Sequence, residues 1–243
     1  MRSKRWLISA LGSLLCFPFG LHAQSWALNS FEAEFAVRLM GFNVGKANHQ
    51  MQCTNQDCEL ISVANPPNWA KRFINESSIE TIRLINNEQQ LTWMSYHKDL
   101  TRRYPDRTVN IITDLIYNAE QQRIEYPQKN RSWPVQTYAY DMVSIVYALQ
   151  FYAQQNMPLP ALMLQDEEQQ QPVKFSVINR STKTHLNYKS NVNARFYQWN
   201  TNDHEVKIWL IEELDLFPGR IEFHHKKANR RVTLSLASPP KHH

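Results

Sequence analysis

Apolar and polar side chains alternate, with Ala36 as the one exception, over residues 31–39. Apolar side chains stand at every second position from Phe31 to Leu39, whereas Glu32, Glu34 and Arg38 lie between them. Successive side chains of a β-strand point to opposite faces of its sheet. The pattern therefore predicts an antiparallel strand with one buried and one solvated face.

Similar short segments recur through the chain, with turn-forming residues between them at intervals of about 8–14 residues. The predicted strands after the first are 46–53, 58–64, 76–85, 90–98, 107–113, 115–118, 122–126, 173–179, 184–189, 193–199, 205–212, 221–225 and 230–235. Residues 69–75 are predicted to form one helical turn or a bent loop. Such a rhythm is typical of an antiparallel sheet or barrel.

One segment has a helical period. Asp141 is a favoured N-cap residue, and apolar residues follow it at spacings of three and four as far as Ala153. We predict a helix over 141–155, with its apolar stripe packed on the sheet. The predicted fold class is α+β, mainly β: a curved antiparallel sheet or incomplete β-barrel with one main helix packed on it.

The first residues have the layout of a secretory signal peptide. Arg2, Lys4 and Arg5 precede an apolar stretch, and Ala23 offers a small residue at a cleavage point. An uncleaved anchor is the alternative, but the stretch is shorter than the ~20 residues that cross a bilayer. A lipoprotein signal at Cys16 is a further alternative, opposed by the large residue before it. We predict a signal peptide at 1–23 and a periplasmic location.

The rest of the chain is predicted to be a single β-rich domain over 24–238, followed by a disordered tail at 239–243. No later apolar run approaches membrane-spanning length, so we expect no transmembrane segment after cleavage. Of 27 basic residues three lie in the leader, which leaves 24 against 22 acidic residues and a net charge of +2. This balance argues against nucleic acid as a partner, because electrostatic attraction supplies most of such binding.

Cys53 and Cys58 are predicted to form a disulfide. The four residues between them, 54–57, make a good turn, and both flanks alternate as strands do. A hairpin would place the two cysteines opposite each other at a distance that suits the bond. A redox pair is the alternative, although it usually has C-x-x-C spacing at a helix start. Zinc would need further ligands at fixed spacing.

The chain shows no strong catalytic, cofactor or metal motif. It has no G-x-G-x-x-G or G-x-x-x-x-G-K phosphate loop, no G-x-S-x-G and no H-E-x-x-H. The carboxylate pairs at 167–168 and 212–213 are sequence neighbours, which tend to diverge on a strand. We expect no catalytic residue, no metal site and no cofactor, and we expect that the protein is not an enzyme.

Large aromatic residues are the most suggestive candidates for a binding site. Trp69, Phe73, Trp93, Trp199 and Trp209 would either fill the core or line an apolar cavity on a curved sheet. A cavity of this kind would take a lipid or another apolar molecule. These five residues are therefore the candidate ligand lining.

The chain resembles the uncharacterised bacterial domain-of-unknown-function family 3108. Residues 35–47 are similar to that family's opening strand, turn and return strand, 141–149 to its D-x-x-S-x-x-Y-x-L helix, and 207–221 to its late W-L strand and P-x-R-I segment. The resemblance implies an envelope location and no established activity, so no catalytic residue is carried over. The Cys53–Cys58 hairpin departs from the family pattern.

These observations favour a non-enzymatic periplasmic or cell-envelope protein that binds or carries a lipid or other apolar molecule. Open half-barrels of this kind resemble the periplasmic lipoprotein-carrier architecture, whose concave face holds acyl chains. An envelope scaffold or protein-interaction module is the alternative, with an envelope protein as partner. A hydrolase acting on envelope polymers is the third hypothesis.

Overall fold

The computed structural model describes residues 28–67, 69, 74–87, 89–155 and 158–243. The predicted signal peptide at 1–23 and the candidate Phe73 lie outside these residues. Within the described part, most of the chain forms one antiparallel sheet of 14 strands, and a second sheet has three strands.

The strands and the α-helix are numbered in chain order. They are β1 (Phe31–Leu39), β2 (Phe42–Thr54), β3 (Asp57–Asn65), β4 (Glu76–Asn87), β5 (Gln90–Arg103), β6 (Thr108–Asn118), β7 (Arg123–Tyr126), β8 (Arg131–Pro134), β9 (Ala139–Tyr140), α1 (Ser144–Gln154), β10 (Met163–Gln165), β11 (Gln170–Pro172), β12 (Lys174–Thr184), β13 (Val192–Asn200), β14 (His204–Ile211), β15 (Phe217–His225), β16 (Arg230–Leu236) and β17 (Lys241–His242). Alternation predicted the first strand with its observed bounds, and most of the other long strands within a few residues.

One predicted break and one predicted strand are wrong. The segments predicted at 107–113 and 115–118 form the single strand β6, which begins at Thr108, because Asp114 faces outward and its Oδ1 lies 2.6 Å from Nδ1 of His97. A polar residue on the solvated face does not interrupt a strand. Conversely, the strand predicted at 184–189 is absent after Thr184, since the Leu186 amide donates to the Lys189 carbonyl at 2.8 Å and closes a turn.

The large sheet is a meander whose two ends do not meet. The strand order is β12-β13-β14-β15-β16-β1-β2-β3-β4-β5-β6-β7-β8. Each of these neighbouring pairs is antiparallel, and β16 lies beside β1, so the last long strand is joined to the first. The sheet is curved but not closed, which confirms the predicted incomplete barrel.

Helix α1 packs inside this curved sheet. Ten of its 11 residues are buried, and they share one hydrophobic core with residues from both halves of the meander, such as Leu60 and Trp199. Two backbone amides in the first turn, those of Val143 and Ser144, donate to Oδ1 of Asp141 at 2.8 and 2.9 Å. The predicted helix is therefore confirmed, with Ser144–Gln154 as its bounds. Its N-cap position falls on Val143, and the Asp141 carboxylate two residues earlier accepts the first amides.

The hairpin between β2 and β3 carries the predicted disulfide. Cys53 and Cys58 are directly paired in the register, with 4.1 Å between their Cα atoms, and their sulfurs are bonded. Asn55 in the turn has a φ of 56°, a left-handed conformation that asparagine tolerates better than most residues. The prediction of a disulfide-clamped hairpin is confirmed.

The end of the chain differs from the predicted disordered tail. Lys241 and His242 form β17, which pairs with Phe31 and Glu32 at the start of β1. The start of β1 extends past the end of β16, so its backbone groups there are free to bond with β17. Among the described residues, no helix has the length and apolar character needed to span a bilayer.

Candidate functional site

The strand register arranges the inner face of β2–β6 in lateral rows. The innermost row is apolar and runs from Met51 on β2 through Leu60, Ile82 and Tyr96 to Leu115 on β6. The next row is polar. It contains His49, Ser62, Glu80, Lys98 and Thr113, one residue from each strand, and we call it the polar row.

A cavity of about 480 Å³ lies between the polar row and the first turn of α1. Its apolar lining comes from β1, β2, β3, β6, β15 and β16, and three further apolar residues come from the start of α1 and the two residues before it. The apolar lining is Val37, Ala47, Ala64, Leu115, Met142, Val143, Val146, Ile221, Phe223, Val232 and Leu234. Its polar lining includes most of the polar row together with Tyr96, Asp141 and residues 165–167. The volume falls within the range of small-molecule sites.

Glu80 is the central carboxylate of the polar row. Its Oε2 accepts from the Tyr96 hydroxyl at 2.8 Å, and its Oε1 accepts from the Ser78 hydroxyl at 3.2 Å. Desolvation raises the pKa of Glu80, and the positive charge of Lys98 on the next strand lowers it in part. Glu80 is only partly exposed, so its charge acts within the cavity more than in bulk solvent.

Asp141 serves the structure of the helix start. Besides the two amides of the first turn, its carboxylate accepts from Trp93 Nε1 at 3.0 Å and from the Ser144 hydroxyl at 2.5 Å. Burial raises the pKa of Asp141, while these hydrogen bonds lower it. Because its two oxygens accept four hydrogen bonds, Asp141 positions the helix rather than offering a free ligand group.

His49 is held neutral at the other end of the polar row. Its Nδ1 lies 2.7 Å from the Tyr147 hydroxyl on α1, and Phe35 packs against its ring with 4.9 Å between centroids. Burial lowers the pKa of His49 from 6.5 to about 4. At neutral pH it is therefore an uncharged hydrogen-bonding group.

The end of β10 and the loop after it line one side of the cavity with Gln165, Asp166 and Glu167. Glu167 Oε1 accepts from the Thr113 hydroxyl at 3.2 Å, which links the loop to the end of the polar row. Asp166 accepts from the amides of Glu168 and Gln169 and shapes the turn. Gln165 is 1% exposed, and its Nε2 is buried without a hydrogen-bond partner.

The predicted aromatic lining does not line this cavity. Trp199 is fully buried in the core, and Trp93 is 5% exposed and bonded to Asp141. Trp209 lies on the other face of β14, against Phe196 at 4.9 Å between ring centroids. Among the described candidates, Trp93 and Trp199 thus belong to the hydrophobic core, and Trp209 covers the outer face of the sheet.

Trp69 is 58% exposed and lies at a different depression of about 900 Å³. This depression is larger than the cavity beside the polar row, but it lies on the outer side of β1 and β2. Its charged lining residues, Glu34 and Lys46, pair with each other at 2.8 Å. The smaller inner cavity is the better candidate site, because it combines an apolar wall with partly buried ionisable groups.

Sequence reasoning missed the polar row, although each member left a signal. Four of its members occupy alternate positions whose side chains point to the inner face of their strands: His49, Ser62, Glu80 and Lys98. The other inward-pointing residues of these strands are mostly apolar. Read strand by strand, each is an isolated exception. Only the register brings them together as neighbours across four strands.

Metal binding and nucleophilic catalysis would each require a particular arrangement of the polar side chains of the cavity. No group of three or more histidine, cysteine, aspartate or glutamate residues is placed to hold a metal ion within the described ranges. Ser62 lies between His49 and Glu80 in the row, but it donates no hydrogen bond to either of them. A nucleophile needs such a contact with its base.

Fold and site together define a mainly antiparallel β-protein whose open, curved sheet wraps a buried helix. No family model matches the chain, and no curated protein matches it by sequence. The resemblance to family 3108 is therefore not confirmed.

Among solved structures, the chain is similar to a β-barrel-like protein of domain of unknown function 1849 from Brucella abortus. The TM-score is 0.52 at 7% identity, over 89% of this chain and 98% of that one. A putative outer membrane lipoprotein-sorting protein domain from Vibrio parahaemolyticus aligns over 90% of this chain and 86% of that one, with a TM-score of 0.23 and 7% identity. The first of these likenesses shows a shared β-barrel-like fold.

Proposed function

We propose that this chain is a non-enzymatic protein of the cell envelope that binds a lipid or another amphipathic molecule in the inner cavity. The observation that carries the proposal is the cavity itself, about 480 Å³ with an apolar wall on one side and the polar row on the other. An amphipathic molecule has the same two-sided character. Burial of its apolar part would supply most of the binding free energy.

A periplasmic location is part of this proposal. The predicted signal peptide supports it, and so does the Cys53–Cys58 disulfide, because such bonds persist in oxidising compartments. A hydrolase receives less support. His49 has a pKa of about 4 and is hydrogen-bonded to Tyr147, so it is a weak base that is already engaged.

The test is purification of the native protein from its own envelope, followed by solvent extraction and mass spectrometry. We expect a stoichiometric amphipathic molecule. Ala64→Phe, which adds bulk at the cavity wall, should remove it. Ala228→Phe in an exposed turn is the matched control and should retain it.

A folded protein that carries nothing, and that binds no added lipid, would overturn the carrier proposal. The alternative of an envelope interaction module would then gain support. Its structural basis is β12, which ends the sheet and, within the described part of the chain, pairs with β13 alone. Ile178 on this strand is 55% exposed, and an unpaired edge is a template for strand addition.

A further inference from the structure

We propose that the inner cavity selects a molecule with a zwitterionic head group, whose anionic part pairs with Lys98 and whose cationic part pairs with Glu167 and Asp166. This inference rests on the proposed function and deepens it by naming the ligand's head-group chemistry. Three features support it: an unpaired lysine, an excess of carboxylates beside it and a buried amide without a partner.

Lys98 is the one lysine or arginine among the residues that line the cavity. The register places it between Glu80 on β4 and Thr113 on β6, and it is only partly exposed. It forms no ion pair or hydrogen bond within the described part of the chain. A partly buried ammonium group gains more from a bound anion than a solvated one, because solvent screens it less.

Carboxylates outnumber this single cation. Glu80, Asp141, Asp166 and Glu167 all line the cavity. Asp141 is saturated by hydrogen bonds, and Glu80 already accepts two. Glu167 accepts only from Thr113, so it retains acceptor capacity for a cation. Walls of mostly one sign raise the local concentration of the opposite charge.

Gln165 provides an independent sign of an absent polar partner. Its side chain lines the cavity at 1% exposure, and one end of its amide group has no hydrogen-bond partner. A buried amide without a partner is unfavourable, and such groups are rare in folded proteins. A hydrogen-bonding atom of a bound head group would satisfy it. Gln165 precedes Asp166 and Glu167, so the three groups lie on one short segment of the cavity wall.

The apolar wall then receives the chain of the ligand. Phe223, Val232 and Leu234 on β15 and β16 line the cavity away from the polar row. A ligand with its head at Lys98 would lay its hydrocarbon against these side chains. A purely anionic head would offer nothing to Asp166 and Glu167, and a purely cationic head would add nothing to the interaction that Lys98 already has with Glu80.

The test uses the intact mature protein and four probes that share a dodecyl chain. They are dodecylphosphocholine, dodecyl phosphate, dodecyltrimethylammonium and dodecanol, titrated by isothermal calorimetry at neutral pH, the first three below their micelle concentrations and dodecanol below its solubility limit. We expect the zwitterionic probe to bind about tenfold tighter than each of the other three. Equal affinities, or a singly charged probe that matches the zwitterionic one, would overturn the inference.

Two variants test the assignment of the two charges. Lys98→Met should weaken the zwitterionic and anionic probes by about tenfold and leave the cationic probe unchanged or tighter. Glu167→Gln should weaken the zwitterionic and cationic probes and spare the anionic one. Lys174→Met and Glu59→Gln, both at exposed positions, are the matched controls. Equal losses for all probes in either cavity variant would contradict the assignment.

The probes also separate this inference from the function beneath it. If none of the four binds, the cavity is no amphiphile site and the proposed function fails. If the uncharged probe binds as tightly as the zwitterionic one, the carrier proposal stands and only the head-group inference is lost.

Discussion

The Tyr147 hydroxyl lies 2.7 Å from Nδ1 of His49, which joins the central helix to the second strand by one buried polar contact. Both residues are enclosed by the core, and Phe31 and Phe217 pack against the Tyr147 ring. The contact replaces water for two groups that would otherwise be unsatisfied. It also fixes the protonation state of the histidine, because a charged imidazolium there would be desolvated.

Stability should therefore fall as the medium is acidified. The pKa of His49 is about 4 in the folded protein and near 6.5 when unfolded, so the unfolded chain binds more protons between these values. The histidine alone should cost about 2 kcal/mol of unfolding free energy between pH 7 and pH 5. The measurement is urea unfolding across this range, for the native chain and for His49→Gln.

Comparison with the variant is needed because two other buried groups act in the opposite direction. Burial raises the pKa values of Glu80 and Asp141, so their contributions favour the folded state as the pH falls. Both groups are present in the His49→Gln variant, so their contributions to the unfolding free energy cancel when the two proteins are compared at each pH. An equal pH dependence for the two proteins would show that His49 is not buried in its neutral form.

Asp141 is predicted to be important for stability rather than for binding. Asp141→Ala removes the acceptor of the Val143 and Ser144 amides at the start of α1 and leaves Trp93 Nε1 without its acceptor. The combined loss should be about 2–4 kcal/mol of unfolding free energy. Asp106→Ala, at an exposed turn, should change stability by less than about 0.5 kcal/mol. Denaturant unfolding of both variants measures the difference, and equal stabilities would refute this role.

The disulfide should contribute modestly, because it closes a short loop. Only residues 54–57 separate Cys53 from Cys58, and chain-entropy reasoning gives about 2 kcal/mol for such a loop. The double variant Cys53→Ser/Cys58→Ser should unfold at a lower urea concentration. Its midpoint should not respond to reductant, whereas that of the native chain should fall to a similar value. A reductant-insensitive native midpoint would mean that the bond adds nothing to stability.

Gly219 is predicted to be intolerant of a side chain for steric reasons. A Cβ at this position would lie 2.2 Å from Cγ1 of Ile211 and 2.9 Å from a methyl group of Leu186. Gly219→Ala should therefore destabilise the protein by about 1–3 kcal/mol through overpacking. A double-mutant cycle with Ile211→Ala provides the control, because the shortened partner should relieve much of the clash. Additive losses would show that the two positions do not interact.

The sequence predicted local structure well because the alternation of side chains is a local property. The bounds of β1, the helix after Asp141 and the Cys53–Cys58 hairpin all follow from neighbours along the chain. The polar row does not. Glu80 and Lys98 are separated by a full hairpin, and their pairing depends on a register that includes a bulge between Arg83 and Leu84. A shift of one residue would turn either side chain to the other face.

The burial of the aromatic residues could not be read from the sequence for a related reason. Trp199 and Trp69 look alike in the sequence, yet one is fully buried and the other is 58% exposed. Side-chain size indicates how much surface a residue can bury, but not whether a ligand or the core covers it. The ligand-binding role of the predicted tryptophans stays a prediction, and among the described ones Trp69 has the side chain most open to solvent.

The pairing of β16 with β1 has a consequence for how the chain folds. The strands β1–β8 and β12–β16 each form from sequence neighbours, but Phe35 pairs with Leu236 across about 200 residues. The loop closure between them is slow and entropically costly compared with a hairpin. The sheet therefore becomes continuous only when β16 is available to pair with β1. A truncation that removes β16 should separate β1–β8 from β12–β15, whereas removal of an edge strand would only shorten the sheet.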